Sequence, residues 1–460
     1  MFPEKFIERI KFQPYIDAER LLKALSSPPP VSIRINPHKW HLIPSGGKPV
    51  KWCGKGFYLD SRPSFTLDPL FHAGIYYPQE ASGMFLEEIF SQLDLKSVKL
   101  KILDLCGAPG GKSTHLSILA GKNGFLLTNE VIRTRAVILR DTVIRWGSPN
   151  TVVTQNDPSD FNRLEGFFDL ILVDAPCSGE GMFRDPVSVN EWSVRNVSYC
   201  SERQKRILSD IWPALKKNGF LIYSTCTFSP EENEHNMQWL ADRTGARPVR
   251  LDTKAFPEIK EIGYKGVYGY GFYPGEVNGE GLFYSVLQKN DGKENQVFRP
   301  KSIYFSKAGK EEIRMATKWS GFQSGDLIKS GGTLIAVPDI AIYNQLIQMK
   351  FRLIKEGTGI LTLKNKKYVP SHELAFSSEL KENAFPAVEL GYEEALQYLK
   401  RGIPVTKDLP SGWLIFTFRG VPLGFANNIG HRTNNYYPVE WRIRMDLPPD
   451  GFSNIINWTV

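Results

Sequence analysis

Cys177, in Asp174-Ala175-Pro176-Cys177, and Cys226, in Ser224-Thr225-Cys226-Thr227, each end an apolar run rather than lie inside one. A packing cysteine belongs inside a strand, whereas a thiol at a strand's end beside polar residues is placed to react. Upstream, the run 101–106 (KILDLC) passes into Gly107-Ala108-Pro109-Gly110-Gly111-Lys112, and Ser113-Thr114 opens a helix. Glycines at a strand-to-helix turn let the backbone approach a ligand closely. Glu130 follows at the spacing, about 20 residues, at which an acid meets ribose hydroxyls. Asp157 and Asp174 end two further runs. The chemistry implied is a nucleoside-type cofactor held beside two thiols. The turn does not match a phosphate-binding P-loop, because Gly107 to Lys112 is one residue too short, nor Gly-x-Gly-x-x-Gly.

Positioning these groups requires an α/β sheet. Short apolar runs at 101–106, 124–130, 150–157, 168–176, 219–228 and 281–288 alternate with helical stretches at 114–120, 133–146, 201–215 and 231–244. Alternation of this kind predicts a parallel sheet with helices on both faces. Ligands bind such sheets at the carboxyl ends of the strands, where the glycine turn, Glu130, Asp157 and Asp174 all fall. Before residue 95 the pattern predicts helices at 17–25 and 82–93 and a strand at 31–35. Residues 26–30 (SSPPP), 289–300 and 320–332 punctuate the chain, and the part beyond 300 reads as one or two small α+β units.

The 460 residues exceed one typical domain, and 42% apolar and 23% charged residues are ordinary for a globular protein. A net charge of +8 suits a polyanionic partner or a slightly basic enzyme equally. Five cysteines at wide spacing, with no Cys-x-x-Cys, argue against a disulfide framework and a structural zinc. The amphipathic start carries no signal-peptide core, and no stretch is long enough to span a bilayer. A cytoplasmic protein without membrane contact is expected. The seven histidines show no metal-ligand spacing, so no metal is expected.

The segments DLCGAPGGKSTHL (104–116), DAPCSGEGMF (174–183) and STCTFSPEENE (224–234) closely resemble the Nop2/Sun family of RNA 5-methylcytosine methyltransferases. YYPQEASGMFLEE (76–88) resembles the stretch preceding that family's catalytic domain. FTLDPLFHAGIYYPQEAS (65–82) and NNYYPVEWRIR (434–444) resemble more narrowly its bacterial RsmF-type branch, which acts on 16S ribosomal RNA. ELGYEEALQYLKRGIPV (389–405) resembles that branch's PUA-like region. The resemblance implies a Rossmann-like class I methyltransferase domain at 96–290, an N-terminal α+β domain at 1–95 and C-terminal α+β units at 300–375 and 376–460, the last PUA-like. It implies S-adenosylmethionine as cofactor, contacted by Cys106, Gly107, Ala108, Pro109, Gly110, Gly111, Lys112, Glu130, Asp157 and Asp174. It makes Cys226 the nucleophile and Cys177 the group that releases product.

Those roles are chemically coherent. C5 of cytosine is a poor nucleophile, and a thiolate added to C6 makes C5 enamine-like, able to take a methyl group. Asp174, protonated or sharing a proton at N3, would stabilise charge on the ring. Cys177 thiolate, or a water it orients, would remove the C5 proton so that Cys226 can leave. Lys112 or the sulfonium would favour the thiolate. The base must be unpaired or flipped out, and Tyr76, Tyr77 and Phe183 are candidate stacking surfaces, or core aromatics. DNA cytosine-C5 enzymes instead use the Pro-Cys thiol, here Cys177, as nucleophile.

The chain departs from the resemblance at three points. Arg184-Asp185-Pro186 is one lysine short, Gly275 stands where histidine is common, and Gly107 stands where alanine is common. Cys53 and Cys200 read as structural, and His235, Arg133, Arg135 and Arg140 as solvated helix faces. Arg432, Arg442 and Arg444 among Tyr436, Tyr437 and Trp441 read as an RNA-binding surface or as the packing of a small domain. The partner expected is RNA, foremost small-subunit rRNA, met by a monomer. A tRNA substrate and a non-catalytic assembly factor remain as alternatives, with DNA disfavoured by Ser-Thr-Cys-Thr.

Overall fold

The computed structural model describes residues 2–95, 99–292, 305–404, 409–446 and 454–459. Its central sheet has five parallel strands, in the order Thr151–Thr154, Phe125–Asn129, Lys101–Asp104, Phe168–Asp174 and Leu215–Thr225. These strands are buried on both faces and rich in Leu, Ile, Val and Phe, as a sheet covered by helices on each side demands. Strand order reverses on either side of Lys101–Asp104, which opens a crevice at the carboxyl ends.

The sixth run departs from the sequence expectation. Leu282–Gln288 lies antiparallel to Leu215–Thr225, not parallel. The reversal follows from a hairpin, Lys260–Tyr264 with Val267–Phe272, that continues the sheet beyond it. The hairpin turns at Lys265-Gly266, both at positive φ (43° and 90°). Its second strand, VYGYGF, carries glycines where neighbouring rings need room: a Cβ on Gly269 would lie 2.3 Å from the Phe283 ring. Glycines break apolar alternation, so the segment does not read as a strand.

The flanking segments are tied into this sheet rather than strung from it. Helices Glu4–Lys11 and Ala18–Leu25, the second capped by Asp17, place Phe6, Ile10, Leu21 and Leu25 in one core with Leu103, Leu127 and Ile171. Strand Val31–Ile35 belongs to a separate four-stranded sheet. Its Ile33 and Ile35 share a core with Leu396, Leu399, Leu414 and Phe416 from the far end of the chain. Beyond residue 305 lie a five-stranded and a four-stranded sheet. One strand of that region, Leu353–Lys355, instead pairs antiparallel with Thr151–Thr154 at the edge of the central sheet. Trp458–Thr459 returns to pair with Ile43–Pro44. The polar stretch 289–300, which punctuates the sequence, lies outside the described residues from 293 onward. No helix among the described residues is long and apolar enough to cross a membrane.

Candidate active site

A cavity of about 450 Å³ opens at the carboxyl ends of the parallel strands. That size suits a nucleoside-type ligand. Cys106, Ala108, Pro109 and Lys112 of the glycine turn line it, with Glu130, Asp157, Asp174, Cys177 and Cys226. Gly107, Gly110 and Gly111 shape the turn from behind. A Cβ on Gly107 would lie 2.2 Å from Thr128 Oγ1 and 2.7 Å from Ser113 Oγ, so alanine, common at this point in the family, does not fit here. Gly110 has φ 120° and precedes helix Gly111–Leu119.

Glu130 follows the second strand and is buried, with Oε1 accepting from the Ile132 amide at 3.0 Å. Its Oε2 accepts no hydrogen bond among the described residues, and Arg135 Nη1 lies 3.4 Å away. A carboxylate with acceptor capacity to spare at the cavity wall is what a ribose diol requires. Arg135 is exposed, as expected, and also donates to Ala108 O at 2.9 Å and lines the cavity. Asp157 does not end its strand, which stops at Thr154. It caps the turn Pro158–Leu164, accepting from the Ser159 amide at 3.1 Å and Ser159 Oγ at 2.8 Å. Arg203 and Arg206, which the sequence reading passed over, also line the cavity, from helix Val194–Ile211.

The fourth and fifth strands deliver the two thiols. The Cys177 and Cys226 sulfurs lie 3.0 Å apart, and the Cys226 amide donates to the Cys177 sulfur at 3.3 Å. The hydrogen bond to the Cys226 sulfur, together with burial, pushes the Cys177 thiol well above its ordinary range. Gly181 and Gly281 make this packing possible: a Cβ on Gly281 would lie 2.6 Å from the Gly181 Cα, and the Gly181 amide donates to Cys226 O at 2.9 Å.

Asp174 Oδ1 accepts from Ser224 Oγ at 2.6 Å and its Oδ2 pairs with Lys112 Nζ at 2.9 Å. Burial opposes the Lys112 ammonium, but Asp174 and Glu80 outweigh it and hold the group above its ordinary range. The pair fixes the Asp174 carboxyl group at the cavity wall.

Asp104, overlooked in the sequence, is fully buried beside the turn. Its Oδ2 accepts from Ser113 Oγ at 2.6 Å, and its Oδ1 has no partner among the described residues. Burial pushes it up to about 7 from its ordinary 3.8, the Ser113 bond opposing. Between those values the folded chain holds a proton that the unfolded chain has released. Stability is therefore lost as pH rises through that window, and the cost is complete above it. Asp104→Asn is expected to raise the melting temperature at pH 8 by several degrees and to leave it nearly unchanged at pH 4. Equal shifts at both, by calorimetry, would contradict this account.

Other sequence candidates lie elsewhere. Tyr76 is buried, donating to Asp68 Oδ2 at 2.8 Å, and Phe183 packs among Phe2, Phe6 and Trp192, so both are core aromatics. Tyr77 lies 3.1 Å from where a Gly111 Cβ would stand, supporting the turn. His235 is half-buried, with its ring 4.6 Å from that of Tyr264. Arg140 is half-buried and pairs with Asp141 at 2.7 Å, and Arg133 is exposed. Tyr437 and Trp441 are core, while Tyr436, Arg432, Arg442 and Arg444 are exposed. Arg184, next to the missing lysine, pairs with Glu280 at 2.5 Å and donates to Ser27 O at 3.1 Å. Gly275 has φ 96° and packs on Arg20 and Ala24. Cys53 and Cys200 are buried. The fold gathers Cys53, Glu87 and His115, metal-ligand types far apart in sequence. Glu87 Oε2 takes both the Cys53 and His115 contacts at 3.1 Å, and the nearby Arg34 guanidinium disfavours further positive charge there.

The model for 16S rRNA methyltransferase RsmB/F matches residues 92–288. The model for the N-terminal domain of 16S rRNA methyltransferase RsmF matches residues 2–81, and that for the methyltransferase RsmF PUA domain residues 385–443. The ribosomal RNA small subunit methyltransferase F of Shewanella sediminis is 30% identical over 455 residues, covering 92% of this chain and 93% of its own length. That of Shewanella woodyi is 31% identical over 410 residues, covering 85% and 84%. A methyltransferase homolog protein from Pyrococcus horikoshii superimposes with a TM-score of 0.53 and 28% identity, over 62% of this chain and 95% of that one.

Proposed function

Because this chain belongs to the RsmF family of 16S rRNA methyltransferases, we propose that it methylates C5 of a cytosine in small-subunit rRNA, with Cys226 as nucleophile and Cys177 as the thiol that clears the product. The enzyme uses S-adenosylmethionine, which supplies an electrophilic methyl group. The observation that carries the finer reading is the pair of sulfurs 3.0 Å apart in the wall of a cavity of nucleoside size. A cytoplasmic location follows from that substrate.

Glu130 would accept the ribose hydroxyls, and the turn 106–112, which Gly107 lets pack on Thr128 and Ser113, would hold the rest of the cofactor. Cys226, whose sulfur lies 3.0 Å from that of Cys177, attacks as the thiolate after giving its proton to solvent, while Cys177 keeps its own. That thiolate bonds to C6, and the displaced ring electrons build up at C5. Asp174, held by Lys112 and Ser224, shares a proton with N3 of the ring and so stabilises the negative charge that builds up there. Once C5 is methylated, Cys177 takes the C5 proton while passing its own to the departing Cys226 sulfur. The C6–S bond breaks and both thiols end protonated, and one proton returns to solvent before the next cycle.

The test is to incubate the protein with labelled cofactor and, separately, free small-subunit rRNA, assembled small subunits, tRNA and DNA. Label is expected in small-subunit rRNA as 5-methylcytidine after digestion to nucleosides. Transfer to none of the four, or into another nucleoside, would overturn the proposal.

A further inference from the structure

Glu232 sits behind the thiols with no role in the steps above. It is fully buried, next to Asn233, in the segment that follows the fifth strand. Its Oε2 accepts from the Ser178 amide at 3.0 Å and from Gln204 Nε2 at 2.8 Å. The same Gln204 nitrogen donates to Pro176 O at 3.0 Å. The residues on both sides of Cys177 are therefore tied to one carboxylate.

Asn233 treats the other thiol the same way. Its Oδ1 accepts from Thr225 Oγ1 at 2.5 Å, and its Nδ2 donates to Thr227 O at 2.9 Å, flanking Cys226. Ser178 Oγ and Thr227 Oγ1, 2.9 Å apart, join the two turns. Tyr223 OH donates to Glu232 O at 2.6 Å and anchors the segment to the fifth strand. Two consecutive side chains thus set the register of two turns that are 49 residues apart in sequence.

We propose that Glu232 is a positioning residue for product release, holding Cys177 where its sulfur reaches both Cys226 and C5. The proposal rests on the assignment of Cys226 as nucleophile and Cys177 as release group. Cys226 has its own holder in Asn233, so loss of the Glu232 contacts loosens Cys177 selectively. The role needs an acceptor oxygen and not a charge. Burial in fact disfavours the charge, pushing the carboxyl up to about 7. Glutamine, whose amide oxygen can accept from both Ser178 and Gln204, should therefore substitute.

The experiment is a single turnover of full-length protein on small-subunit rRNA, quenched in denaturant, with the protein–RNA adduct followed in time. Thermal unfolding and cofactor binding serve as folding checks. In Glu232→Ala the adduct is expected to form at close to the wild-type rate but to resolve about 100-fold more slowly, the usual penalty of misplacing a reacting group. Glu232→Gln is expected to form and resolve it as wild type does. Gln204→Ala, which removes the bridge to Pro176, is expected to slow resolution as well and decides the matter if Glu232→Ala does not fold. Equal slowing of formation and resolution, a Glu232→Gln protein as slow as Glu232→Ala, or unchanged resolution in Gln204→Ala would overturn the proposal. A wild-type protein that methylates without any adduct would instead remove the thiol assignment beneath it.

Discussion

Cys226→Ala is expected to abolish both methyl transfer and the covalent RNA–protein species, while Cys177→Ala accumulates that species. The loss in turnover for Cys226→Ala should be on the order of 10⁴-fold or more, as for removal of other covalent nucleophiles. Alanine at 226 leaves no atom that can bond to C6, and the cavity offers Cys177 in its place only with a thiol whose charged form burial disfavours. In Cys177→Ala the Cys226 sulfur still reaches C6, so methylation of one equivalent proceeds. No group then takes the C5 proton, and the C6–S bond persists. Denaturing gels of each variant with labelled RNA read the two outcomes directly. Adduct in Cys226→Ala and none in Cys177→Ala would reverse the roles.

Asp174→Asn is expected to lower kcat by about 10²- to 10³-fold, the usual effect of removing a preorganised electrostatic partner. KM for RNA should change little. Asparagine keeps the shape and can still accept from Ser224, so the strand end and the cavity survive. What disappears is the carboxyl group that Lys112 holds in place and that shares a proton with N3 as the ring gains electrons. Lys112 keeps an electrostatically attractive neighbour in Glu80, which lines the same cavity. Steady-state kinetics at saturating cofactor separate the two parameters. A kcat within threefold of wild type would remove Asp174 from the reaction.

The parts of this site that the sequence made legible are those where local chemistry and strand ends coincide. Cys177 and Asp174 lie at the end of one apolar run and Cys226 at the end of the next, so a parallel register alone brings them together. Glu130 and the glycine turn follow from the same rule. Contacts made across long sequence separations did not show. Arg135 is the exposed helix arginine it reads as, and nothing local to it shows that it reaches Ala108 O. Asp104 hides inside an apolar run, and Glu232 inside an acidic stretch that reads as solvated. The hairpin 260–272 escaped because its glycines, needed by the rings of Phe283 and Tyr273, erase the alternation that marks a strand. The edge strand Leu353–Lys355 escaped because three residues carry no periodicity.

The central claim, that Cys226 carries the RNA during the reaction, can be put to one measurement. The adduct formed by the Cys177→Ala protein is digested with nuclease and protease, and the peptide bearing the nucleotide is sequenced by mass spectrometry. A methylated cytidine mass on the peptide containing Cys226 is the result this account requires. A nucleotide on any other residue, or none on any peptide, would contradict it.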